Sequence, residues 1–303
     1  MEVHMKRIIF AAALLVGIFC SAAGADQVTL VTYYPAPFGM YQEMRVMGKL
    51  GVGTATPDTP LAGSGTSILE VSGKISQIGL GRSTYLGYRA GYNDDYFSLQ
   101  STPDHKNVGI GYQALFSNTT GLDNSAVGYQ SLYSNTTGPY NSAVGFESLK
   151  FNTTGSDNSA MGYQSLYSNT TGPNNSAVGF RTLFVNTTGS SNSAVGSVSL
   201  SANTTGNNNS AVGASSLSSN TTGNNNSAVG LFSLSTNTTG FNNSAVGFES
   251  LKFNTTGSDN SAMGYQSLYS NTTGSNNSAA GPFSLYTNIN GTQNTATGAY
   301  SLL

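Results

Sequence analysis

The residues that could support chemistry in this chain are few, and most lie in one stretch. His105 follows Asp104, and Asp94 and Asp95 sit shortly before them, in "NDDYFSLQSTPDHK". Carboxylates beside an imidazole are the groups that a bound metal or a proton-transfer step requires. Little else supports them. The remaining histidine is His4, Cys20 is the single cysteine, and no Cys/His cluster exists. Acidic residues further on are scattered: Asp123, Glu147, Asp157, Glu249 and Asp259. The expected state of the polar group is a solvated loop, and the chain reads as non-enzymatic, with no cofactor and no metal. A second chemistry is glycosylation, because Asn-Thr-Thr is an acceptor sequon. It competes with a turn reading, since Asn and Gly favour turns. The turn reading also covers the Asn of "NSAVG", which is no sequon in that register.

The elements that would carry these residues follow from a repeat. "NTTG" begins at Asn118 and returns every 17 residues to Asn271, with a decayed copy, "NING", at Asn288. "NSAVG" or a near variant keeps the same phase from Asn124 to Asn294, and "NVGIG" at Asn107 precedes it. Residues 142–172 are identical to residues 244–274, the mark of a recent duplication. A period of 17 is too short for a pair of helices. Each copy carries two glycines and several Asn, Ser and Thr, which disfavour helix interiors. Short strands joined by turns remain, one coil of an all-β roll or solenoid per repeat.

Stacked coils place equivalent residues in columns about 4.8 Å apart. Two apolar columns are the expected core: Val127, Val144, Val178, Val212 and Val246 in one, Leu132, Leu149, Leu183, Leu217 and Leu251 in the other. Asn118, Asn124 and Asn135 are expected to hold the corners through side-chain ladders. Gly121 and Gly138 are expected to turn in the left-handed region, and Gly128 to need positive φ or a close backbone approach. The variable columns carry aromatic and polar residues: Tyr129, Gln130, Tyr133, Phe146, Tyr163, Tyr167, Phe180, Phe184, Tyr265 and Tyr269. Exposed aromatics with little charge suit contact with glycan or protein surfaces, and they would equally shield strand edges. Ice binding would want Thr at alternate positions of one face, whereas Thr119 and Thr120 are adjacent and should point oppositely.

Composition narrows the partners. The chain has 303 residues, a net charge of −2 and 8% charged residues, which excludes a basic nucleic-acid binder. Lys6 and Arg7, the 13-residue apolar run "IIFAAALLVGIFC" and the small residues Ala23–Ala25 read as a secretory signal over residues 1–25. A membrane span needs about 20 apolar residues, and no later run reaches that. Loss of the segment removes Cys20, leaving a chain without thiol chemistry. Residues 26–83 read as a small N-terminal β-region and residues 84–303 as the repeat domain, regular from about 107.

The pattern "NSAVGxxSLxxNTTG" resembles the head repeats of YadA-like trimeric autotransporter adhesins. "GYQALFSNTTG" (Gly111 to Gly121) is similar to Asn/Gly-rich repeats of tail-fibre-like surface proteins. "LGVGTATP" (Leu50 to Pro57) and "LEVSGKI" (Leu69 to Ile75) resemble the β-motif ahead of such repeats, and "TYLGYRAGYN" (Thr84 to Asn93) a degenerate first coil. The resemblance implies homotrimers of side-by-side β-rolls, secreted or displayed at the cell surface, that attach to a host, matrix, glycan or cell-surface ligand. The period of 17 is longer than usual for the adhesin heads. The alternative is a structural filament or an envelope or tail-fibre-like component without a specific ligand; ice binding ranks below both.

Overall fold

The computed structural model describes residues 83–94 and 105–303. The expected signal segment, the β-region up to residue 82, and Asp95 and Asp104 lie outside the described residues. Within them the chain is an all-β parallel solenoid. Thirteen three-residue strands stand in sequence order in one sheet: β1 (Thr84–Leu86), β2 (Val108–Ile110), β3 (Ser125–Val127), β4 (Ser142–Val144), and onward at 17-residue intervals to β13 (Thr295–Thr297). Pairing is in register, as in Ser125↔Ser142 and Val127↔Val144. β1 pairs with β2 as Thr84↔Val108, an offset of 24, so "TYLGYRAGYN" is a true coil and the extra residues form an insertion after it.

Each strand is short because both flanks turn. Gly128 sits at φ +135, and a Cβ there would lie 2.2 Å from the Gly145 carbonyl oxygen. Only glycine meets both demands. Beyond the strand, main-chain bonds continue around the coil. Leu132 N–H donates to the Ser148 carbonyl at 3.0 Å and Thr136 N–H to Thr153 at 2.9 Å, both in the next coil. Gln130 and Tyr140 N–H donate to Tyr112 and Leu122 in the preceding one. Every coil is thus tied to both neighbours around its circumference, satisfying backbone groups that a buried turn would otherwise strand.

The leucine column is the core. Leu132, Leu149, Leu183, Leu217 and Leu251 have zero exposure. They also sit at φ near +50, the left-handed region. That conformation costs about 1–2 kcal/mol, against about 1.5–3 kcal/mol from burying the side chain. Burial therefore outweighs the strain, and the bend it imposes closes the coil.

The valine column is not core. Val127 is half-buried, Val144 and Val178 are 38% exposed, and Val212 and Val246 also face outward. The inward position belongs to Ala126 and its equivalents, at zero exposure in most coils. Strand alternation explains the exchange: in Ser-Ala-Val only the middle residue can face in when Ser and Val face out. Leucine and two asparagine columns already occupy the interior, so the wall opposite accepts a methyl and not an isopropyl group.

Gly121 and Gly138 also depart from the expectation, since neither has positive φ. Their constraint is space. A Cβ on Gly138 would meet the Gly155 carbonyl oxygen at 2.3 Å and Asn135 Oδ1 at 2.7 Å. The left-handed residue lies two positions on, at Tyr140 (φ +59) and its equivalents.

Candidate functional site: ladders, outward columns and the first coil

Both asparagine columns lie inside the solenoid. Asn135 Nδ2 donates to Asn118 Oδ1 at 2.9 Å and to the Gly138 carbonyl at 2.9 Å. The same pair of bonds repeats from coil to coil, ending with Asn288 donating to Asn271 at 3.0 Å. In the second column Asn124 Oδ1 accepts from the Asn141 backbone N–H at 2.9 Å, and Asn124 Nδ2 donates to Gly138. Asn118, Asn124 and Asn135 are at most 1% exposed. The nitrogen a glycan would modify is therefore enclosed and bonded in the folded chain. Ser131 completes the interior, donating to the Ala143 carbonyl at 2.9 Å. Among the described residues no buried side-chain nitrogen or oxygen lacks a partner. Of the paired threonines, Thr136 turns its hydroxyl into the Thr153 carbonyl at 3.0 Å, while Thr137 is exposed. Adjacent threonines thus face differently, as the sequence implied.

The outer surface is also columnar. Tyr112, Tyr129, Phe146, Tyr163 and Phe180 stack in one line, with ring centroids 4.9–5.3 Å apart and near-parallel planes. Phe116 with Tyr133, and Tyr167 with Phe184, form a second line. Tyr265 stacks on Phe248, and Tyr269 on Tyr286. The first line is exposed and the second half-buried. Because each ring covers its neighbour's face, the ladder presents ring edges and tyrosine hydroxyls outward. Gln130 Nε2 donates to Gln113 Oε1 at 2.8 Å, a side-chain ladder of its own. The first aromatic line lies two residues beyond the outward valines, across Gly128 and its equivalents; the same position holds Ser197, Ala214 and Leu231 in the middle coils.

The sparse charges are tied into these columns. Lys150 Nζ pairs with Glu147 Oε1 at 2.6 Å, and Gln164 donates to the other Glu147 oxygen at 2.8 Å. Glu249, Lys252 and Gln266 repeat the arrangement in the duplicated block. Burial acts to raise each glutamate's pKa, but the lysine and glutamine hydrogen bonds outweigh it and hold the carboxyl below its ordinary value. Arg181 lies 4.1 Å from the Phe184 ring centroid, a cation–π contact.

The one place where the loop expectation fails is the first coil. Asp94 and His105 are buried, with side chains 6% and 5% exposed, and Asp94 Oδ1 lies 2.6 Å from His105 Nδ1. Tyr85 donates its hydroxyl to the other Asp94 oxygen. Burial, with the carboxylate beside it, pushes the Tyr85 phenol far above its ordinary range, so it stays a donor. Asn118 Nδ2 reaches Asp94 at 3.4 Å. A signal for this was present: Asp94 precedes Asn118 by 24 residues, the same offset as Gly87 from Gly111. It marks Asp94 as a ladder position. Among the described residues no group of three His, Cys, Asp or Glu side chains could hold a metal ion. Set against protein-family models, curated proteins and solved structures, the chain matches none.

Proposed function

We propose that this chain is an exported, surface-displayed attachment protein, and that its solenoids assemble side by side as homotrimers. The observation that carries the reading is the exposed apolar column of the sheet. Val144, Val178, Val195, Val212, Val229 and Val246 are each about 40% exposed in an in-register sheet, and Phe146, Phe180 and Phe248 are exposed two residues beyond Val144, Val178 and Val246. Contiguous exposed apolar surface on this scale marks an interaction face. The valine column is regular and identical in each copy of the chain, which suits burial against other copies. The aromatic edges beside it are left to touch a matrix, glycan or cell-surface ligand. Each contact is weak, and the periodic array multiplies it.

The test is an adhesion assay on beads coated with the mature chain. The variant replaces Tyr129, Phe146, Tyr163 and Phe180 by serine, the residue already present in that column at Ser197. Circular dichroism should not change, and bead retention on matrix- or glycan-coated surfaces should fall by about tenfold or more. Equal retention by a folded variant would remove the attachment reading. A sedimentation mass of one chain would remove the trimer.

A further inference from the structure

The interior ladders need an end. In the regular coils, each NTTG asparagine amide donates to the Oδ1 of the coil before it. At the first coil both asparagine positions hold other residues. Ser83 Oγ accepts from the Asn107 backbone N–H at 3.1 Å, where an asparagine Oδ1 accepts in later coils. Asp94 takes the place of the NTTG asparagine and receives Asn118. Asp94 has no amide to pass on. Its two oxygens face three groups able to donate: the Tyr85 hydroxyl, His105 Nδ1 and Asn118 Nδ2. The Tyr85 hydroxyl is also in hydrogen-bond contact with Ser83 and Asn107, both uncharged. Arg89, Lys106 and Asp123, the other charged residues described in these coils, are exposed.

We infer that Asp94 closes the N-terminal end of the asparagine ladder as an ionised carboxylate, and that acid releases the first coil, residues 83–94, from the stack. A carboxylate only accepts hydrogen bonds, so it suits a site where three donors converge. Protonation turns one oxygen into a donor among donors. A buried donor then loses its partner, and the cheapest relief is for the coil to open. Opening would uncover the edge of β2, a row of unpaired main-chain groups. The inference does not depend on the attachment function.

Hydrogen exchange of the full chain tests it, with rates corrected for intrinsic chemistry and residues 193–229, which carry no ionisable side chain, as the internal reference. Between pH 7 and pH 2.5, opening of residues 84–93 should rise by about tenfold relative to the reference. Asp94→Asn supplies the ladder's own residue, with an oxygen that still accepts and no proton to gain, and should flatten the response. His105→Gln should keep it. A wild type without the response, an Asp94→Asn variant that keeps it, or a His105→Gln variant that loses it would each overturn the inference. The Asp94 Cγ resonance provides a check without substitution, because its titration midpoint should coincide with that of the opening. Separate midpoints would equally overturn the inference.

Discussion

Asn169 illustrates how much one side chain carries in a repeated interior. Its amide donates to Asn152 Oδ1 and the Gly172 carbonyl, and its oxygen accepts from Asn186. Asn169→Ala leaves buried Asn152 Oδ1 without its donor and takes one acceptor from Asn186, while Asn158 still serves the Gly172 carbonyl; it should cost about 1–3 kcal/mol, read as faster hydrogen exchange in the flanking coils. Thr171→Ala, on an exposed hydroxyl two residues away, should change stability by less than about 0.5 kcal/mol. The two apolar columns separate as sharply. Leu183→Ala opens a cavity in the core and should cost about 2–5 kcal/mol in urea unfolding. Val178→Ala removes a 38% exposed group and should cost less than about 1 kcal/mol in an unassembled chain. The Glu147 and Glu249 pairs add a pH term. Their folded carboxyl pKa values lie below the unfolded ones, so their contribution is complete above the ordinary glutamate range and vanishes as pH falls through the lowered values. Glu147→Gln should remove that increment from the acid limb of an unfolding titration, by about 1 kcal/mol, the scale of a half-buried pair.

At the scale of the coil, register governs everything. Removal of one whole coil, residues 193–209, should leave far-UV circular dichroism per residue unchanged, because every ladder rejoins in phase. Removal of one residue fewer should shift the Ala, Leu and Asn columns out of line downstream and lower the thermal midpoint well beyond the effect of shortening. This dependence on phase is why the period, the strand order and the asparagine ladders were legible from residue spacing alone. The leucine column was legible for the same reason, being invariant. The valine column misled because constancy and apolarity do not reveal direction. In a three-residue strand the inward side is set by a parity that only the neighbouring turns fix. Gly138 misled for a related reason: glycine answers both to positive φ and to crowding, and the sequence does not say which. Asp94 and His105 were obscured by the insertion, which breaks the phase just where they join the stack.

For the whole molecule, the unequal exposure of its walls sets how copies should meet. If the valine face is the trimer contact, Val195→Glu with Val212→Glu should shift the sedimentation mass from three chains to one, with the coil spectrum retained. Met161 and Met263 occupy the same column, at 55% and 61% exposure in the single chain. They should resist peroxide in the proposed trimer and oxidise readily in the double variant, as mass spectrometry of their peptides would report. The asparagine ladder has a larger-scale consequence of another kind. Its amides all point the same way, nitrogen toward the first coil and oxygen toward the last, so their dipoles add along the stack as peptide dipoles add along a helix. The ladder is a polar column built from uncharged residues, set among main-chain bonds that run both ways along the stack. Its positive end is the one at which the Asp94 carboxylate sits.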